Sequence, residues 1–183
     1  MKLYHGSDIA GIDILIPASC DQKGKRVLYL TDNWAYSLFY LRDRKIDFVT
    51  CGIGPDGKVH YDEKFPNQLK ILYQGKSGYI YEVETDAVTT RTPGIWISAA
   101  KAKVSGYACI SDAYMEIRKE IDNGTIDFLS YDDLSIEQRR LNHEGAVRYL
   151  VSGKVKSAEK TAFYREYFPE AWMEAQNILA QRK

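Results

Sequence analysis

Two short stretches hold the residue types that could do chemistry. Tyr4-His5-Gly6-Ser7 places an imidazole where an apolar run stops and a Gly-Ser pair turns the chain. A histidine at a strand end lies beside open backbone amides, which suits it to grip the polar edge of a ligand. The second stretch, Val27 to Asn33, carries Tyr29 and Thr31 and runs straight into Ala35-Tyr36-Ser37-Leu38-Phe39-Tyr40. Tyr36 and Tyr40 stand one helical turn apart, so their rings can share a face. Tyrosine buries a ring while keeping a hydroxyl available, a combination that serves a half-wet cleft and a sheet face equally. Packing is the competing explanation for both stretches: a lone histidine satisfied inside the fold, and for Tyr40 an aromatic helix face laid on a sheet.

The elements that must position these residues belong to an ordinary globular chain. With 183 residues, 45% of them hydrophobic and 27% charged, the protein is long enough to close a core. Lys and Arg number 25 against 25 Asp and Glu, so the net charge is zero and no broad basic footprint for nucleic acid exists. No apolar run reaches the roughly 20 residues that span a bilayer, and the N-terminus lacks the pattern of a signal peptide, so a cytoplasmic location is expected. Cys20, Cys51 and Cys109 form no CxxC pair and have no histidine at ligand spacing, and the three histidines are His5, His60 and His143. Neither a disulfide framework nor a metal site is expected.

The chain changes character near residue 110. Before it, KLYH, VLYLT, DFVTCGI, KVHY, GYIYEVE and IWIS read as strands separated by turn signals. Pro55, Asp56 and Gly57 predict a hairpin turn between two of them. Helices are predicted from about Asn33 to Arg42, capped by Asp32 or Asn33, and around Pro66 to Tyr73. After residue 110 helical signals dominate. Ser111 is a candidate cap for a helix ending at Asn123-Gly124, and Ser135 with Gln138 forms an S-x-x-Q capping box for one ending near Gly153. Further helices start near Ser157 and at Pro169, and Trp172, Ala175 and Leu179 recur there at helical spacing. The reading is an α+β protein: residues 1–110 as a mixed or antiparallel β core with two short helices, and 111–183 as a helical part packed on it.

Taken in order, the motifs resemble the ADP-ribosyltransferase fold, in the His-Tyr-Glu branch of diphtheria-toxin-like and rifampicin-modifying enzymes. Tyr4 to Ser7 is similar to that family's Y-H-G-[ST] strand. Tyr29, Thr31 and Ala35 match its later strand with a tyrosine, a Thr or Ser, and an alanine-containing helix. Gly78 to Glu84 looks like its G-x-[IV]-Y-x-V-[ED] strand. Ile95-Trp96-Ile97-Ser98 followed by Ala102-Lys103-Val104 falls where the family has an aromatic-x-S strand and a short closing strand. The likeness spans roughly residues 1 to 105, through a split β core, and leaves the helical tail unexplained.

The resemblance implies NAD as substrate, cleaved between nicotinamide and ribose through an oxocarbenium-like state, with ADP-ribose passed to an unidentified acceptor. His5 would then bond a ribose hydroxyl, the amide and carbonyl of Gly6 would hold the nicotinamide carboxamide, Tyr29 with Tyr36 would stack on the ring, and Ser7 and Thr31 would complete the cofactor-binding set. An acid should offset the developing charge. The sequence departs from the family here, because Glu84 with the nearby Asp86, Glu144 and Glu63 are all candidates and none matches unambiguously. The alternative is a module on the same fold that binds a ligand or, through Phe163, Tyr167 and Trp172 of the tail, a protein, without turnover. An RNA 2'-phosphotransferase reaction also uses NAD on a similar core, but neutral charge and the lack of clustered arginines argue against it. Arg42, Arg44 and Lys45 either complement a helix C-terminus or meet a diphosphate. Neither a Rossmann fingerprint nor a Walker loop is present.

Overall fold

The computed structural model describes residues 1–20, 24–42 and 51–182. By its internal packing the chain divides into two units. Residues 1–20, 24–42, 51–61 and 69–128 make the first, and 62–68 with 129–182 make the second. The protein is α+β with antiparallel sheets and, among the described residues, six helices. No described helix is long and apolar enough to cross a membrane.

In chain order the strands are β1 (Lys2–Ser7), β2 (Ile14–Leu15), β3 (Ser19–Cys20), β4 (Arg26–Thr31), β5 (Cys51–Ile53) and β6 (Val59–Asp62). They continue as β7 (Gly78–Glu84), β8 (Thr89–Thr92), β9 (Ile95–Ser98), β10 (Ala102–Ile110) and β11 (Ile126–Leu129). The main sheet runs β2-β10-β7-β1-β4-β9-β8, with β3 paired to β4 off that path, and a second sheet runs β11-β6-β5. The seam beside β1 is asymmetric. On one side β1 pairs with β7 along its whole length, from Lys2 opposite Glu84 to Ser7 opposite Tyr79. Towards β4 the defined register is Tyr4 opposite Thr31. Beyond that pair the two strands part.

One face of the sheet is closed by Leu3, Leu15, Leu28, Leu30, Tyr81, Val83 and Ala102, the residues that alternate inward on their strands. The other is covered by α1 (Trp34–Leu38), whose carbonyl at Ser37 presses on Gly6. α1 starts as the sequence predicts, because Asn33 Oδ1 accepts the Tyr36 N–H at 2.9 Å. It is shorter than expected. From Phe39 the amides bond three residues back instead of four, so the predicted stretch to Arg42 tightens into turns. Likewise α2 (Gln68–Tyr73) begins two residues late, since Asn67 adopts a positive φ of 57° that a helix cannot continue through.

α3 (Ala113–Asp122) is capped by Asp112 in place of Ser111: Oδ1 accepts from Met115 N–H at 3.1 Å, and Oδ2 takes the Gly75 N–H at 3.0 Å. The Pro55-Asp56-Gly57 turn joins β5 to β6 as predicted, with Gly57 at φ +79°. The closing strand β10 is longer than expected, and β11 interrupts the tail that the sequence marks as helical. Asp47 to Thr50 of the DFVTCGI run, and Arg44 and Lys45, lie outside the described residues.

The second unit is built on α4 (Ile136–Val151), α5 (Ala158–Tyr167) and α6 (Pro169–Gln181). The predicted caps are present. Ser135 and Gln138 form a reciprocal capping box, Ser157 accepts from Lys160 N–H, and Pro169 opens α6. Their shared core gathers Phe65, Val147, Leu150, Phe163, Tyr164 and Phe168 around Ala146, Ala171 and Ala175. The alanines let helix backbones approach, and each buried aromatic contributes about 1.5–3 kcal/mol by leaving water.

Candidate functional site

His5 stands where β1 and β4 part. Its Nδ1 lies 2.9 Å from the backbone oxygen of Tyr29. A carbonyl only accepts, so Nδ1 is the donor of this bond. The imidazole also stacks against the Tyr40 ring, with centroids 6.4 Å apart and planes at 27°. The sequence places His5 at a strand end beside open amides, but β1 continues through Gly6 and Ser7, opposite Ile80 and Tyr79, so the histidine lies within the strand and meets a carbonyl of the second motif instead.

Tyr29 is half-buried on β4. Arg91 covers it: the guanidinium lies 5.2 Å from the ring centroid and donates to the phenol oxygen. β8 slips register against β9 between Thr90 and Thr92, and the extra residue of that bulge is Arg91. A bulge of this kind re-aims a side chain, here across β9 onto Tyr29.

Tyr36 and Tyr40 share a face as the helical spacing predicts, meeting edge to face at 5.7 Å. Burial, with the neighbouring Cys51 and Tyr40 hydroxyl, raises the Tyr36 phenol far above its ordinary value. Burial likewise pushes Tyr40 up to about 12 and the Cys51 thiol up to about 12, while the Arg42 charge pulls both down in part. These groups therefore stay protonated near neutrality. They are donors and ring faces, not bases or thiolate nucleophiles.

Gly6, Ser7 and Thr31 are engaged in structure. A Cβ on Gly6 would fall 2.6 Å from the Ser37 oxygen and 2.9 Å from the Tyr40 Cβ, so only glycine allows α1 to sit so close. Ser7 Oγ accepts the Ile9 N–H at 3.2 Å. Thr31 Oγ1 donates to the Gly94 oxygen at 2.7 Å and accepts from Asn33 N–H at 3.1 Å. Asp32 beside it accepts from the Trp96 indole at 3.0 Å, and Asn33 Nδ2 donates to the Gly57 oxygen at 3.2 Å.

The three carboxylates separate. Glu84 is exposed at the end of β7, opposite Lys2. That places it three residues from His5 along the ladder, about 10 Å. Glu63 and Glu144 belong to the second unit. Glu63 is buried at 5% exposure and accepts the Tyr131 N–H at 3.1 Å. Glu144 lies on α4 in an ion network with Arg140 and with Arg148.

A cluster that the sequence analysis passed over is Asp56, His60 and Asp127, whose donor atoms lie within 4.8 Å of one another. His60 Nε2 faces Asp56 at 3.2 Å and Nδ1 faces Asp127 at 3.6 Å. Lys58 also pairs with Asp127 at 3.4 Å. Both ring nitrogens face carboxylates, and the Lys58 ammonium shares Asp127 with the ring.

Chemically, the junction of β1, β4 and α1 offers an imidazole, phenol donors, several ring faces and the cation Arg91. That set suits a planar ligand bearing hydroxyl groups and negative charge. Arg91 escaped the sequence analysis because Thr-Thr-Arg-Thr has no apolar period, and Cys51, weighed there only for disulfide and metal chemistry, had no partner within reach in sequence to place it at this junction. No protein-family model, no curated protein and no solved structure matches this chain.

Proposed function

We propose that the first unit binds NAD at the parting of β1 and β4 and transfers its ADP-ribose to an acceptor, as ADP-ribosyltransferases of the His-Tyr-Glu branch do. The observation that carries this reading is the bond between the His5 imidazole and the Tyr29 backbone oxygen, which brings the two motif residues together. With Nδ1 fixed as the donor, Nε2 accepts from a ribose hydroxyl. The Tyr29 and Tyr40 rings favour a planar cation such as the nicotinamide ring, and Arg91 offers charge to a diphosphate. The bond broken joins the anomeric carbon to the nicotinamide nitrogen, whose electron pair leaves with the neutral ring. The bond formed joins that carbon to an acceptor heteroatom, which gives up its proton.

A second reading, binding without turnover, draws on the position of Glu84, exposed and three residues down the ladder from His5. Calorimetric titration with NAD, run beside an assay for released nicotinamide, separates the two. NAD binding that weakens at least tenfold in both His5→Ala and Tyr29→Ala, together with nicotinamide release, supports the enzyme. Binding with the same losses and no release supports the module. Absence of NAD binding, or binding that neither substitution changes, refutes both.

A further inference from the structure

The second unit contains a cleft of about 740 Å³, within the range of small-molecule sites. One wall is a stripe of α4. Ile136, Arg139, Asn142 and His143 are spaced at three and four residues and so lie on one helix face. The facing wall is aromatic: the Phe65 and Tyr167 rings stack with centroids 4.6 Å apart at 29°. Ile136, which lines the cleft, is 89% exposed, an apolar side chain with little protein to cover it.

The charges in this cleft are unevenly committed. Arg140 is held by Glu137 and Glu144, and His143 Nε2 meets Glu174 at 2.8 Å. Arg139 differs. Its guanidinium lies over the Tyr131 ring at 5.0 Å and donates from Nη2 to the Asp132 carbonyl at 2.8 Å, so the fork is fixed in place. Among the described residues neither Arg139 nor Lys64, which also lines the cleft, forms an ion pair with a carboxylate. A third donor is unmatched, because Asn142 Nδ2 is buried without a hydrogen-bond partner. Of the lining acids, Glu166 adds to burial in raising the Tyr167 phenol, and Glu170 sits in the first turn of α6.

We infer that this cleft binds a small organic anion, with a carboxylate or phosphate head on Arg139 and Lys64 and a flat apolar body between Ile136 and the Phe65–Tyr167 pair. A guanidinium fixed by a carbonyl bond and a ring stack is pre-organised for the planar, two-oxygen edge of either head group. Glu170 opposes the anion and tunes the affinity downwards. The site lies wholly in the second unit and does not depend on the NAD reading.

The test uses the whole protein and calorimetric titration with four probes: 1-naphthoate, 1-naphthyl phosphate, 1-naphthol and inorganic phosphate. The expected result is binding of one or both naphthyl anions, with naphthol and inorganic phosphate at least tenfold weaker. Which anion binds more tightly identifies the head group. Arg139→Gln and Lys64→Gln should each weaken the better anion about tenfold while leaving naphthol unchanged, and Glu170→Gln should tighten it. His5→Ala should leave it unaltered. The inference is overturned if neither anion binds, if naphthol or inorganic phosphate binds as well as the anions, if the Arg139→Gln Lys64→Gln double variant binds normally while still folded by circular dichroism, or if His5→Ala abolishes binding.

Discussion

Gly6→Ala measures how closely α1 is pressed onto β1. The added methyl would meet a main-chain oxygen, Ser37 O at 2.6 Å, and the Tyr40 Cβ at 2.9 Å. Neither is the loose end of a side chain, so relief requires shifting the helix. Overpacking of this kind costs about 1–3 kcal/mol, and a rigid backbone obstacle puts Gly6 at the upper end. Alanine recovers about 0.5–1 kcal/mol of the glycine's entropic penalty in a strand. The net expectation is a loss of about 2 kcal/mol, or about 4–8 °C in melting temperature for a chain of this size. Gly52→Ala is the matched control, because Gly52 is an exposed strand glycine on β5 with no atom within 4 Å of its would-be Cβ. It should hold or raise the melting temperature by a few degrees. Differential scanning calorimetry of both variants decides the matter: equal melting temperatures would refute the claim that α1 and β1 are in backbone contact at Gly6.

Ser135→Ala removes one half of the capping box and should lower stability by about 1 kcal/mol in urea denaturation, with Ser135→Asp largely restoring it. Thr31→Val leaves the Gly94 oxygen and the Asn33 N–H without their shared hydroxyl and should cost about 1–3 kcal/mol; an unchanged urea midpoint would count against that role. For Cys51 the folded thiol titrates near 12, above its ordinary value of 9.0, so its contribution is complete below pH 9 and fades as pH rises towards 12. Between pH 8 and pH 10 this makes the loss in the wild type about 1.4 kcal/mol greater than in Cys51→Ala, the raised Tyr36 and Tyr40 phenols contributing equally to both. Parallel urea titrations at the two pH values check it, and identical losses in the two proteins would reject the burial of the thiol.

Local chemistry was readable in the sequence wherever one residue and its near neighbours decide the outcome. The capping box at Ser135, the stop at Gly124, the first turn at Pro169 and the Asp56-Gly57 turn all follow from side-chain hydrogen bonds or permitted φ values within four residues. Length was less readable. The end of α1 depends on a switch to three-residue hydrogen bonds, and the start of α2 on a left-handed Asn67, neither of which has a compositional signal. Cross-strand features were invisible. Arg91 reaches Tyr29 only because β8 bulges beside β9, and β11 forms within a tail whose residues carry helical signals on both sides. At the site, the contact of the His5 imidazole with the Tyr29 main chain depends on β1 and β4 being neighbours, a pairing across 24 residues that local spacing does not specify. Glu63, Glu84 and Glu144 could not be ranked from sequence, because a carboxylate's surroundings are set by contacts from distant segments.

Thr31, Asp32 and Asn33 are consecutive, yet each side chain holds a different partner: the β8–β9 turn at Gly94, the Trp96 indole on β9, and the β5–β6 turn at Gly57. Inserting or deleting a single residue in this triplet would release all three anchor points together, and lengthening the β5–β6 turn by itself would release only one. Natural variation in chain length should therefore fall outside residues 31–33, and engineered tags or circular permutations should avoid them.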